Sequence, residues 1–341
     1  MVDTYEAMLW HKERNGVRCD LCARSCFIAK DKRGFCLVRL NKDNKLYSLN
    51  YGKLCSVNVD PIEKKPLFHF YPGSKSLSIS SPGCNFRCAF CCNWELSQGV
   101  SDTKLEIKGD NYTPEQIVQM AEDNNCRSIS YTYTEPTVFF EFAYKTAKLA
   151  HRSNILNTFV TNGYISVEAL KKIAKYLDAV TVDIKASGDK EFYKKFMSVP
   201  DVSPIYAALK QMKKQRVFIE VTNLIVPQFG DSVELCGKLA QWISSEINSD
   251  VPFHVLQFFP SNKLLELPPT PVATLERCIE EAKKTGLRYV YIGNVPGHTD
   301  ENTYCYNCRE LLIKRSAFTL EKSNLVNGRC PNCGLSINIV S

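Results

Sequence analysis

Cys84, Cys88 and Cys91 stand in one short loop, C-N-F-R-C-A-F-C, directly behind a strand-like run at 75–81. An iron-sulfur cube takes one thiolate per iron. A loop offering three sulfurs therefore leaves the fourth iron open to a substrate or cofactor, and an open iron implies chemistry. Gaps of three and two residues, with Gly83 just before them, let the loop curl its sulfurs toward a common centre without a distant fourth cysteine. The bland alternative is zinc, which also takes tetrahedral thiolates and would need a remote fourth ligand here. A disulfide is the weakest reading.

Two further cysteine sets flank this loop. At the C-terminal end, Cys305, Cys308, Cys330 and Cys333 form paired C-x2-C knuckles separated by 21 residues, with Gly334 following. The pattern is that of a zinc ribbon, and a closed structural zinc is preferred to an auxiliary cluster. Near the other end, Cys19, Cys22, Cys26 and Cys36 supply four more thiolates, and their spacing suits zinc or an auxiliary iron-sulfur cluster equally. Cys55, Cys126, Cys236 and Cys278 read as small core residues, and Cys92 as a buried free thiol.

Sixteen cysteines would mean disulfides in a secreted chain, but the start shows neither a basic n-region nor an apolar h-region. No apolar run of about eighteen residues is present to span a bilayer. The expected compartment is a reducing cytoplasm, where clustered cysteines serve metals or catalysis. A net charge of +7, with lysine pairs such as Lys64-Lys65 scattered along the chain, describes solvated faces and argues against a nucleic-acid partner.

The elements that must position the loop follow from patterning. Apolar runs at 77–80, 128–133, 157–161, 179–184, 217–222, 253–258 and 289–292 predict strands. Between them, a capping box at Thr113-Pro-Glu-Gln116 opens one helix, and runs at 138–152, 167–176, 232–245 and 271–285 predict others. Alternating strands and helices imply an α/β fold with a parallel sheet. In 341 residues, 44% apolar, this fits one large core with small appendages. The expected division is a Cys-rich segment at 1–70, a barrel at 71–298 and a zinc-ribbon-like module at 299–341. Ligands of such barrels sit at the C-terminal ends of strands. That rule nominates 132–135, 161–163, Asp183, Lys185, 222–223 and Gln257.

C-x3-C-x2-C after a first strand resembles the signature of the radical S-adenosylmethionine (SAM) superfamily. The stretches 60–70 (DPIEKKPLFHF), 88–98 (CAFCCNWELSQ), 131–136 (YTYTEP) and 291–296 (YIGNVP) resemble the AmmeMemoRadiSam-system radical SAM proteins, relatives of pyruvate formate-lyase activating enzyme. The resemblance implies a partial or near-complete (β/α)6 TIM-like barrel, a 4Fe-4S cluster on Cys84, Cys88 and Cys91, and S-adenosylmethionine chelated at the open iron. It implies reductive cleavage to a 5'-deoxyadenosyl radical, with a flavodoxin- or ferredoxin-type electron donor. Phe90 matches an aromatic position near adenine, and equally reads as a core ring. Thr134 and Glu135 stand where a Gly-Gly-Glu segment holds the cofactor's amino group, with threonines in place of the glycines. Asp183 and Lys185 resemble an Asp-Leu-Lys segment touching ribose or carboxylate, or form a strand-end ion pair. Asn162 could reach the ribose, although Asn-Gly is also a turn signal. His254, Gln257 and 293–298 could line the substrate side, His254 also reading as a structural histidine.

The radical's target is open between a protein, including a glycyl-radical partner, and a small molecule; no catalytic residue is assigned. A rival of another class is a non-catalytic zinc-binding interaction protein, for which the repeated barrel units have no purpose.

Overall fold

The computed structural model describes residues 5–101 and 107–341; residues 1–4, the beginning of the start discussed above, lie outside them. One eight-stranded sheet organises the chain, and its strands lie side by side in sequence order. They are β1 (Ser56–Pro61), β2 (Lys75–Ser80), β3 (Ser128–Tyr131), β4 (Leu156–Thr161), β5 (Ala179–Lys185), β6 (Phe218–Ile225), β7 (Phe253–Gln257) and β8 (Val290–Gly293). β1 pairs antiparallel with β2, and every later pair is parallel. The sheet is open between β8 and β1, so the architecture is the expected partial barrel, with the six strands β2 to β7 extended by β8. Patterning did not nominate β1, which ends in Pro61; a residue with no N–H to donate belongs at an edge.

The helices are α1 (Trp94–Gln98), α2 (Pro114–Asp123), α3 (Phe140–Arg152), α4 (Val167–Ile173), α5 (Lys190–Met197), α6 (Ser203–Lys214), α7 (Val233–Trp242) and α8 (Val272–Lys284). The capping box forms: Gln116 N donates to Thr113 Oγ1 at 3.2 Å, and Thr113 N to Gln116 Oε1 at 2.8 Å. The expected spans 138–152, 167–176 and 232–245 each join an α-helix to a tighter or wider turn at one end. α5 and α6 were not anticipated. Their start signals are Asp189, which accepts from Phe192 N at 2.7 Å, and a proline in the first turn of α6. The strand expected at 128–133 stops at Tyr131, because Tyr133 adopts φ 63° and Thr134 N turns back to Thr132 O at 2.8 Å. No helix among the described residues is long and apolar enough to cross a membrane.

Alternation in the strands sorts side chains onto two buried faces. In S-L-S-I-S at 76–80, Leu77 and Ile79 join the main apolar core beneath the helices, as do Val180 and Val182 of β5. Ser76, Ser78, Thr181, Glu220 and His254 fall on the inner face and are also buried. Buried hydroxyls need partners. Ser130 Oγ bridges Ser76 Oγ and Thr158 Oγ1, each at 2.6 Å, while Thr181 Oγ1 donates to Lys65 O at 2.6 Å. Lys65 and His69 belong to the segment after β1, which packs inside the sheet's curl with both side chains at most 1% exposed.

Two three-stranded antiparallel sheets lie within 5–48, and Lys53–Leu54 pairs antiparallel with Asp110–Asn111. At the other end, strands Thr303–Tyr304, Leu311–Ser316 and Thr319–Ser323 form one sheet. Its core, including Cys305, Leu312 and Ile313, packs on Phe68 and Tyr291 of the barrel.

Candidate active site

The loop after β2 is clamped on several sides. Gly83 has φ 105°, and a Cβ there would lie 2.8 Å from Val38 Cγ1 and 3.3 Å from Cys36 O, so only glycine lets the loop press against the N-terminal segment. Ala89 N donates to Phe196 O of α5 at 2.8 Å. From the segment after β7, Lys263 N donates to Ala89 O at 2.7 Å, Asn262 Nδ2 to Cys88 O at 3.2 Å and Ser261 Oγ to Cys91 O at 3.2 Å. Phe86 N donates to Cys84 Sγ at 3.3 Å, and Cys91 Sγ lies 3.3 Å from Ser97 Oγ of α1.

The fit of these thiols to a metal group can be tested against their spacing. A zinc–sulfur bond of 2.3 Å places tetrahedral sulfurs about 3.8 Å apart. Among the described residues, Cys84, Cys88 and Cys91 do not lie in a group of three or more ligand atoms within 4.8 Å of one another, whereas the C-terminal quartet does. As they stand, the three sulfurs of the triad are not gathered around a single ion. Burial pushes the Cys88 thiol up to about 12 and Cys84 well above its ordinary value. Glu135 adds to the rise at Cys84, while Lys185 opposes that at Cys88.

Glu135, at the end of β3, is 2% exposed. Its Oε1 accepts from Thr137 N at 3.0 Å, Thr137 Oγ1 at 2.5 Å and Thr161 Oγ1 at 2.8 Å; its Oε2 accepts from Asn162 N at 2.8 Å. Burial raises its carboxyl above the ordinary value, against these donors. A carboxylate offers about four acceptor positions, two on each oxygen, so Oε2 retains one. Glu135 is thus the cap of the turn at Pro136–Phe139 while standing beside the cysteine loop. Asn162 links the same parts, its Nδ2 donating to Asn85 Oδ1 at 2.7 Å and its Oδ1 accepting from Tyr164 N at 2.9 Å. Thr134 Oγ1 donates to Ser81 O at 2.7 Å, bracing the residues just before Gly83.

Asp183 and Lys185 form an ion pair at the end of β5, and Asp183 Oδ1 accepts from Thr222 Oγ1 at 2.6 Å. Burial works against the Lys185 ammonium, yet Asp183 holds its pKa above the ordinary value. Phe90 packs against Phe192 and Phe258 with centroids 5.5 and 6.4 Å away. The structure brings Cys84, Cys88, Cys91, Glu135, Asn162 and Lys185 to one end of the barrel. His254 is not among them: it lies at the start of β7, 1% exposed, with Nε2 2.7 Å from Glu220 Oε2. Gln257 Nε2 is engaged with Thr270 O at 2.7 Å, and His298 Nε2 lies 3.4 Å from Glu276.

Two cysteine expectations need correction. Cys92 is exposed rather than buried, because the loop turns inward at Cys91 and outward at the next residue. Cys55 is only half-buried; its Sγ approaches Ser80 O at 3.5 Å at the C-terminal edge of β2. Sequence reading also missed Asn85, whose only signal was its position inside the cysteine motif. It missed Asp60 as well. That carboxylate accepts from Lys64 at 2.8 Å, from Lys65 at 2.7 Å and from the Tyr133 hydroxyl.

At the C-terminal module, Cys305 and Cys333 lie 3.6 Å apart and Cys308 and Cys330 3.5 Å apart. These separations match a single tetrahedral ion. Burial raises the Cys305 thiol to about 11, while the Leu335 amide and the Asn307 side chain draw exposed Cys333 down to about 6.

A family model described as the radical SAM superfamily matches residues 78–243. An uncharacterised protein of Methanocaldococcus jannaschii is 46% identical over 338 residues, covering 98% of this chain and 99% of its own. A second protein of that organism, provisionally named a glycyl-radical enzyme activating enzyme, is 25% identical over 245 residues, covering 69% of this chain and 93% of its own. Among solved structures, a radical SAM methyltransferase from Sphaerobacter thermophilus aligns over 71% of each chain with a TM-score of 0.51 and 14% identity, a likeness of fold. The chain belongs to the radical SAM superfamily and is an enzyme of that class, for which iron-sulfur and S-adenosylmethionine binding are implied.

Proposed function

We propose that this enzyme holds a 4Fe-4S cluster on Cys84, Cys88 and Cys91 and uses it to cleave S-adenosylmethionine for hydrogen abstraction from a substrate. The observation that carries the reading is the open spacing of three thiols at the C-terminal edge of a parallel sheet, with Glu135 and Lys185 beside them. When bound, the cluster supplies one electron to the sulfonium, so that a carbon–sulfur bond breaks into methionine and a 5'-deoxyadenosyl radical. The chain's own residues orient and shield. Lys185 offers an ammonium to the methionine carboxylate, and the free position on Glu135 Oε2 accepts from its amino group. Asn162 and Thr161 hold Glu135 in place, and Phe90 with Phe258 closes the apolar side of the loop against water.

The C-terminal quartet holds structural zinc, and the enzyme works in a reducing cytoplasm with a low-potential flavodoxin- or ferredoxin-type donor. The name of the second M. jannaschii relative favours a glycyl residue of a partner protein as the hydrogen source. Anaerobic reconstitution followed by dithionite and S-adenosylmethionine tests the core reaction: 5'-deoxyadenosine and methionine form in equal amounts. Fully reconstituted protein that releases neither defeats the proposal. A glycyl signal in electron paramagnetic resonance of a candidate partner tests the second step.

A further inference from the structure

Cys19, Cys22, Cys26 and Cys36 wall a single cavity, together with Arg24, Arg39 and Asn85. Their sulfurs are arranged unlike those of the C-terminal quartet. Among the described residues no three of them lie within 4.8 Å of one another, and no two make the close sulfur–sulfur contact seen at 3.5 and 3.6 Å between Cys305, Cys308, Cys330 and Cys333. As they stand, the four sulfurs are not gathered to the separation near 3.8 Å that bonds of about 2.3 Å to one ion fix. A cubane carries each thiolate on a different iron, which adds a metal–metal edge to every separation.

A second observation also points to an anionic sulfur group. Arg39 Nε and Asn85 Nδ2 are buried donors on residues lining this cavity, 1% and 0% exposed, and among the described residues neither has a hydrogen-bond partner of ordinary geometry, although the Asn85 side chain faces the Cys22 thiol. Buried donors without acceptors are costly, about 1–3 kcal/mol each. Thiolate and sulfide sulfurs of a cluster are acceptors of the required sign. Arg24 adds positive charge, spending its own donors on the Asn85 and Ser198 carbonyls.

We infer that this cavity binds a second iron-sulfur cluster of four irons, ligated by Cys19, Cys22, Cys26 and Cys36. With a thiolate on every iron it has no open corner, so it does not take S-adenosylmethionine. It stands immediately behind the active-site loop: Asn85 follows Cys84, Ala23 N donates to Tyr164 O at 3.0 Å, and Ser166 N donates to Leu21 O at 3.1 Å. The inference goes beyond the proposed function and fails separately from it.

The test compares iron and zinc contents and Mössbauer spectra of the full chain and of C84A/C88A/C91A, both reconstituted anaerobically with iron and sulfide. About eight irons in the full chain, about four in the triple variant and one zinc in each are expected. A second variant, C22S/C26S, should keep about four irons and still yield 5'-deoxyadenosine on reduction. An iron-free triple variant carrying two zinc ions overturns the inference, as does a two-iron cluster. If both the full chain and the triple variant hold four irons, the second cluster stands and the active-site cluster falls.

Discussion

The two ends of the barrel use the same kinds of residue to opposite effect. At the C-terminal edge, Glu135 keeps one acceptor position and the Lys185 side chain is 17% exposed, beside three thiols without a closed partner set. Inside the curl toward the other end, Glu220, His254, His69 and Tyr291 are at most 2% exposed and bonded to one another. Glu220 accepts from His69 N at 2.8 Å and from His254 Nε2 at 2.7 Å. Asn338 O can only accept, so the His69 Nδ1 2.8 Å away carries the proton, and Nε2 accepts from the Tyr291 hydroxyl at 2.5 Å. Arg315 Nη2 donates to Phe68 O at 2.7 Å, tying the C-terminal module to the same cluster. Polar identity does not separate a site from a brace; access does, here at Lys185.

The largest effect expected from this contrast is at the open end. Cys88→Ala removes one of three thiolates, so reductive formation of 5'-deoxyadenosine falls to background while the far-ultraviolet circular dichroism is unchanged. Substantial turnover by this variant would move the reaction away from the loop.

The buried end should answer in stability instead. Glu220→Ala strands the His254 ring and the His69 amide in the interior, at a cost of about 3–5 kcal/mol. Urea unfolding reads that loss, and 5'-deoxyadenosine formed per folded molecule stays as in the parent. A variant that keeps its stability but loses turnover would make Glu220 part of the chemistry.

pH sharpens the same point. Burial pulls the His69 pKa down from 6.5 to about 4, with Glu220 pulling the other way and Arg315 and His254 adding to the fall. The unfolded chain therefore binds a proton that the folded chain refuses between those values. Stability is full above pH 6.5 and declines by about 3 kcal/mol as pH falls toward 4. His69→Gln should flatten this slope in denaturant titrations between pH 7 and 4, against the parent measured in parallel. An unaltered slope assigns the acid sensitivity to other titrating groups.

Much of the open end is legible in the sequence. Seven apolar runs became seven parallel strands, and strand ends brought Glu135, Asn162 and Lys185 to the cysteine loop, because the position of a residue in a strand dictates its edge. The brace was not legible, since its contacts cross the chain: His69 meets Glu220 over 151 positions and Arg315 meets Phe68 over 247. Nor does the spacing at 19–36 choose between zinc and an iron-sulfur cluster. Spacing along a chain counts thiolates, while the distances that separate one ion from a cube exist only after folding.

Lys185 is where the contrast is finest, because its ion pair with Asp183 resembles those of the brace. If its ammonium holds the methionine carboxylate, Lys185→Met forfeits a charge-assisted bond of about 1.5–3 kcal/mol. The KM for S-adenosylmethionine then rises roughly 10- to 100-fold while kcat and iron content change little, the signature of lost ground-state binding. A fall in melting temperature with KM unmoved would instead make Lys185 a strand-end tie for Asp183 and Thr222. The cofactor's carboxylate would then need another cation, and Glu135 would be left as the open end's one ionic contact to S-adenosylmethionine.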